Sequence, residues 1–266
     1  MQLQPRIEFQ NVSKVFYARR QTITAVKDFS LKVNPGEFVT IVGPSGCGKS
    51  TVIRMLDGIT TPTSGNILID GEDFSEKKVD RETLKKIGFI FQEPNLLPWL
   101  TVEQNVELPL KIMHMNTLEN QVRVKELIDM VGMRKYASAY PVEVSGGMTQ
   151  RIGVIRAMVH DPEILLMDEP FGALDSITRE QLNLELLQIW KKTHKTIIFI
   201  THNVEEAVLL SSRVYVMATG PGRLTDVVDI DLPRPRTLDM ITDKKFIAYT
   251  KQLTSLIGEI DLSKIV

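Results

Sequence analysis

Apolar residues in this chain fall into runs of different period, and each period predicts a different element. Short unbroken apolar stretches at Phe38–Val42, Ile87–Phe91, Ile164–Met167, Thr196–Ile200 and Val214–Met217 predict buried strands. Apolar–polar alternation at Ile7–Phe9 and Leu31–Val33 predicts half-buried strands, and Gly65–Asp70 reads as a further strand turned by Gly71. Helices are predicted over Lys49–Leu56, where Asp57-Gly58 supplies a stop, and over about Ser176–His194 and Val204–Ser211. From Glu93 to Val159 strand-like runs vanish and helical spacing takes over, as at Val122, Val124, Leu127, Ile128 and Val131. Strands that alternate with helices predict an α/β fold with a mostly parallel core sheet. The part before about Asp80 is richer in short antiparallel strands, and the 93–159 stretch is a helical insert.

Composition narrows the function classes. The 266 residues carry 32 Lys+Arg against 33 Asp+Glu, so the net charge of -1 offers no electrostatic case for binding nucleic acid. One Cys rules out a disulfide framework within the chain and a Cys-based zinc cluster, and the four His show no metal-ligand spacing. No apolar run approaches the ~18 residues of a membrane span. Met1–Gln10 lacks a basic stretch followed by an apolar one, so no secretory leader is expected.

The buried strand Phe38–Val42 runs into Gly43-Pro44-Ser45-Gly46-Cys47-Gly48-Lys49-Ser50-Thr51, which fits G-x-x-x-x-G-K-[ST] with a helix predicted to follow. Glycines let the backbone curl until several N–H groups converge on one anion, and the next helix N-terminus adds partial positive charge. Lys49 is placed to reach the β- and γ-phosphates of a nucleotide, and the Ser50 hydroxyl is a hard oxygen ligand for Mg²⁺. Cys47 stands inside the loop as a small residue rather than a nucleophile.

A second apolar strand, Ile164–Met167, ends in Asp168-Glu169-Pro170. A buried parallel strand delivers such acids to its C-terminal end, where ligands bind in these sheets. Asp168 is predicted to hold Mg²⁺, directly or through water, and Glu169 to polarise an attacking water. Adjacent acids here favour hydrolysis over transfer to a bound substrate.

Further motifs surround these two. Val144-Ser145-Gly146-Gly147-Met148 lies between them, Ala173-Leu174-Asp175 and Ile200-Thr201-His202 follow, and Gln92 closes the Ile87–Phe91 strand. This ordered set resembles the ATP-binding cassette (ABC) ATPases, the nucleotide-binding subunits of ABC transporters, from about Ile7 to Met217. The resemblance implies a P-loop NTPase fold of ABC type that hydrolyses ATP with Mg²⁺. It implies an ATP-binding core at 1–92 and 160–230, a helical signature subdomain at 93–159 and a C-terminal tail at 231–266, expected to be helical. It makes Gln92 a sensor of Mg²⁺ that links the subdomains. Ser145, Gly146 and Gly147 become a cap over ATP held by the opposite subunit of a head-to-tail homodimer. Asp175 falls at the dimer seam, and His202 on the γ-phosphate. Phe16, with Tyr17 as the alternative, lies where the family stacks an aromatic on adenine. With Lys49 and Glu169, Gln92 and His202 complete the implied catalytic set. Val144 and Met148 depart from the common Leu and Gln of the signature, and Asn203 from the common Asp.

Phe91–Trp99, Gly220-Pro221-Gly222-Arg223 and Leu232-Pro233-Arg234-Pro235-Arg236 resemble an importer branch for nitrate, sulfonates, taurine, bicarbonate and related solutes. The implied partners are a membrane permease pair and an extracytoplasmic solute-binding protein, with the chain peripheral on the cytoplasmic face of the membrane. The Glu93–Leu100 segment is expected to contact the permease through Leu96, Leu97 and Trp99; the competing expectation folds these residues back onto the helical insert. Two other functions stay open: a soluble ABC-type ATPase acting on DNA or ribosomes, and a small-molecule P-loop kinase. Single-cassette length, no sustained heptads and no basic excess weigh against the first. The kinase leaves Ser145–Gly147 and Glu169 without a role.

Overall fold

The computed structural model describes residues 4–18, 21–75 and 81–262. The first three residues of the leader expectation and the last four of the tail expectation lie outside them. In chain order the elements are β1 (Ile7–Ala18), β2 (Gln21–Val33), β3 (Phe38–Val42), α1 (Lys49–Leu56), β4 (Ser64–Ile69), β5 (Glu72–Asp73), α2 (Arg81–Lys85) and β6 (Ile87–Ile90). There follow α3 (Val102–Ile112), α4 (Leu118–Met130), α5 (Gly146–Met158), β7 (Ile164–Asp168), α6 (Ser176–Thr193), β8 (Thr196–Ile200), α7 (Val204–Leu210), β9 (Arg213–Ala218), β10 (Arg223–Asp229) and α8 (Lys244–Leu262).

Two sheets face each other. One runs β10-β9-β3-β8-β7-β6, parallel from β9 to β6 with β10 antiparallel on its edge. The other is antiparallel, in the order β2-β1-β4-β5. The unbroken apolar strands are explained by burial on both faces. In β7, Leu165 and Met167 enter a core with α6, α7 and α8, while Ile164 and Leu166 enter a second core between the sheets with α1. In β8, Ile197 and Phe199 divide from Ile198 and Ile200 in the same way. A third core lies within the helical stretch, where Val102, Val106, Leu127, Ile128, Ile152 and Ile155 pack α3, α4 and α5 together.

The strand pair β1–β2 is longer than its alternating ends predict. Register shifts between Phe9 and Val15 interrupt the alternation, and most of the first half of β2 is exposed, so its middle carries no two-residue period. The charged strand β10 has only Val228 buried, which hides it from a hydrophobic reading. After β10 the chain returns over α7. The Arg236 guanidinium is buried and donates to the carbonyls of Val208, Leu209 and Ser211 at the end of that helix, and to Ile230. Arg234 donates to Leu210 and stacks over Trp190 at 4.1 Å.

Candidate nucleotide site

The loop between β3 and α1 is shaped by its glycines. Gly48 caps α1 with φ +95°, and a Cβ there would lie 2.7 Å from the Ala25 carbonyl. Glycine is therefore what lets the loop lie down on β2. Gly222 makes a similar approach from the other side. It pairs with Ala25 and Lys27 through backbone hydrogen bonds and leaves no room for a Cβ against the Cys47 carbonyl. The phosphate loop is thus wedged between β2 and the β9–β10 turn.

Beside it opens a cleft of about 480 Å³, lined by Ser45, Gly46, Gly48, Lys49, Ser50 and Thr51 from the loop and α1, and by Glu169. Ile23, Thr24, Ala25 and the turn Gly220-Pro221-Gly222 complete the wall. Lys49 is 5% exposed, and its ammonium donates back to the carbonyls of Gly43 (2.8 Å) and Pro44 (3.1 Å). The Cys47 side chain is buried in the core beneath the loop.

At the end of β7, the Ser50 hydroxyl donates to Asp168 at 3.0 Å. Burial pushes the Asp168 carboxyl above the ordinary range, while Ser50, Arg54 and Lys49 pull it down. Glu169 follows with φ 46°, which breaks the strand line. Its Oε2 lies 2.9 Å from His202 Nδ1. A Cβ placed on Gly172 would lie 3.6 Å from that same Oε2 and 3.8 Å from Gln92 Nε2, so Gln92 stands beside the Glu169–His202 pair. Ser50 and Asp168 form a hard oxygen donor set, which fits Mg²⁺ completed by phosphate and water. Among the described residues there is no group of three His, Cys, Asp or Glu able to hold a metal alone.

Ser145, Gly146 and Gly147 do not line the cleft. Ser145 caps α5 with its hydroxyl and is exposed. Gly147 packs against the first turn of α6, where a Cβ would come within 2.8 Å of Thr178 Cγ2. Asp175 caps α6 by accepting from the Thr178 amide at 3.0 Å, which holds its carboxyl below the ordinary range. Ser145, Gly146 and Asp175 therefore share one exposed face.

Phe16 is partnered across β1–β2 with Ile23, so the two side chains share a face, and Ile23 lines the cleft. Tyr17 alternates to the other face, which favours Phe16 as the aromatic toward the base. Ile23–Ala25 escaped the sequence reading because packing between sheets brings them there. The Gly220–Gly222 turn was visible as a motif but not as part of the site.

The Glu93–Leu100 segment is pinned. Asn105 is buried and donates to the carbonyls of Leu97, Leu100 and Thr101, and accepts from the Leu97 amide. Arg156 donates to the carbonyls of Asn95 (3.0 Å) and Pro94. Leu96 folds back onto the α3–α5 core, whereas Trp99 is 69% exposed. The two expectations for this segment thus divide between residues.

A strand–loop–helix phosphate cradle with Asp-Glu at the end of a neighbouring parallel strand defines a P-loop nucleotide hydrolase. Residues 26–172 match the family described as ABC transporter, and the chain belongs to that family. It is 41% identical to the aliphatic sulfonates import ATP-binding protein SsuB of Bacillus cereus, over 87% of this chain and 88% of that one. It is 39% identical to the nitrate import ATP-binding protein NrtD of Synechocystis sp., over 94% of each. A solved dimeric structure of the ATP-binding cassette MJ0796, in a post-hydrolysis state bound to ADP and Pi, matches with a TM-score of 0.75. That match has 33% identity and covers 85% of this chain and 100% of the other.

Proposed function

We propose that the protein hydrolyses ATP to energise an importer for a small anion, in the class of nitrate, sulfonates, taurine or bicarbonate. The observation that carries this is the convergence of Lys49, Ser50–Asp168 and Glu169–His202 on one cleft, in a chain related to sulfonate- and nitrate-import ATPases.

The roles follow from placement. The N–H groups of the Gly43–Thr51 loop, Pro44 excepted, and the Lys49 ammonium bind the phosphates, and Phe16 stacks on the base. Ser50 and Asp168 would hold Mg²⁺, which would supply neutralisation of charge on the phosphate oxygens. Glu169 orients a water and draws its proton as the oxygen attacks the terminal phosphorus, while the bond from that phosphorus to the β–γ bridging oxygen breaks and its electron pair leaves on ADP. His202 steadies Glu169 and the departing phosphate. Gln92 would sense the Mg²⁺ and pass its state to the Glu93–Leu100 segment. Ser145–Gly147 and Asp175 act on a second copy of the chain in a head-to-tail homodimer, and the helical 93–159 stretch works as a unit. The chain sits peripherally on the cytoplasmic face, held by a permease pair that an extracytoplasmic binding protein feeds. Among the described residues no helix is long and apolar enough to cross a membrane.

The test is capture of polytopic membrane partners from the host, co-expression with any permease so found, and assay of labelled nitrate, taurine, alkanesulfonate and bicarbonate uptake in proteoliposomes. ATP-dependent uptake of one of them, lost in Glu169→Gln, is expected. Capture of no polytopic partner, with ATP turnover but no uptake, would contradict the proposal.

A further inference from the structure

Glu206 is 6% exposed in α7, and none of the roles above uses it. A buried carboxylate is costly unless its oxygens are satisfied, so its partners indicate what it is for. Its Oε2 accepts from the Thr201 hydroxyl at 2.5 Å. The Thr201 oxygen in turn accepts from the Asn203 amide at 3.0 Å, and Asn203 Oδ1 accepts from the amides of Glu205 and Glu206. Both residues flanking His202 are therefore tied to Glu206.

The other oxygen faces α6. Oε1 accepts from Asn183 Nδ2 at 3.3 Å and lies 4.0 Å from Arg179 Nε. Arg179 Nη2 donates to the Leu174 carbonyl at 2.8 Å, one residue before Asp175. Arg179 Nε and Asn183 Oδ1 are buried and have no hydrogen-bond partner within the protein. The network is one contact short: a closure of roughly 1 Å would turn the Arg179–Glu206 approach into a charge-assisted hydrogen bond. The unpartnered Arg179 Nε is therefore the point at which a small shift of the α6 start would tighten or loosen the hold on Glu206.

We infer that Glu206 is a positioning residue: its carboxylate ties the loop bearing His202 to the helix start bearing Asp175, so that seating of the Asp175 face on a partner sets His202 for hydrolysis. This rests on the reading of His202 and Asp175 given above. It adds a route by which one copy of the chain governs the chemistry of its own cleft.

The test compares Glu206→Gln, Arg179→Gln, His202→Ala and the Glu206→Gln/His202→Ala double variant in the full chain. Single-turnover hydrolysis of labelled ATP is measured together with equilibrium nucleotide binding. Glu206→Gln is expected to slow hydrolysis about tenfold or more while the nucleotide Kd stays within about twofold, and Arg179→Gln is expected to do the same. On the His202→Ala background, Glu206→Gln should add less than about twofold, since its effect passes through the histidine. A structural role alone would weaken binding as well and multiply with His202→Ala. Hydrolysis within about twofold of wild type in Glu206→Gln, or full multiplication in the double variant, overturns the inference. If Glu206→Gln does not fold, Arg179→Gln decides by the same criteria, alone and with His202→Ala. Wild-type turnover in His202→Ala would overturn the reading of His202 and this inference together. An impaired His202→Ala with a multiplicative cycle overturns the inference alone.

Discussion

Lys49 and Ser145 each stand at the N-terminal end of a helix, and the chain surrounds them in opposite ways. Lys49 is buried beneath the phosphate loop, and its ammonium already has two carbonyl acceptors, Gly43 and Pro44. Ser145 is exposed beside the exposed Gly146, and the neighbouring helix start adds the exposed Asp175. Both helix ends offer amides and partial positive charge to an anion. One lies on a cleft of this chain, and the other faces outward. The difference teaches that the phosphate loop closes on a cleft within one chain, while Ser145 and Gly146 are left exposed and away from that cleft, as the proposed cap over a second copy's nucleotide requires. This is the basis for reading the active unit as a pair.

The largest expected break in this comparison comes from Glu169→Gln. It keeps the shape of the cleft but loses the charge that draws a proton from water, so turnover should fall about 10²–10⁴-fold. ATP binding should survive, and ATP-bound dimers should accumulate in size-exclusion chromatography because the exposed face still caps. Normal turnover by the purified variant would remove Glu169 from the mechanism.

Trp99→Ala probes the exposed side at a different point. Because Asn105 and Arg156 pin the segment and Trp99 itself is exposed, its loss should leave the melting transition and ATP affinity nearly unchanged, within about 0.5 kcal/mol. Uptake in proteoliposomes should drop sharply while ATP hydrolysis continues. A large stability loss would instead mean that Trp99 belongs to the α3–α5 core.

The smallest effect sharpens the buried side. Asp57 ends α1, its Oδ2 is buried without a partner, and burial pushes its carboxyl up from 3.8 to about 6. A raised folded-state value favours the protonated form, so its stabilising contribution is complete below about pH 4 and lost as pH rises through about 6. Asp57→Asn keeps an acceptor for the Ile59 amide. It should match wild type near pH 4 and exceed it at pH 7 by on the order of 1 kcal/mol, discounted for partial exposure. Urea melts at the two pH values read this directly.

What the sequence disclosed follows the range of the interactions involved. The phosphate loop, α1 and the Asp168-Glu169 strand end are local features, and their residues announce them. Strands β3, β7 and β8 were legible because burial on both faces demands unbroken apolar runs. The middle of β1–β2 and the charged edge strand β10 were not, since one is irregular and the other is mostly exposed. The walls at Ile23–Ala25 and Gly220–Gly222, and the Glu206 network between α6 and α7, depend on contacts far apart in sequence. No spacing rule reports those.

The central claim, that a hydrolytic site needs two chains, is tested most directly by mixing Lys49→Ala with Ser145→Arg. The first removes phosphate binding, and the second blocks the capping face with bulk. Each variant alone should be inactive. A heterodimer pairs the intact Lys49 of one chain with the intact Ser145 of the other, so random mixing should restore about a quarter of the wild-type sites. Recovery of hydrolysis on mixing is the predicted result. A mixture that stays inactive where wild-type dimers form, or full turnover by Ser145→Arg alone, would contradict it.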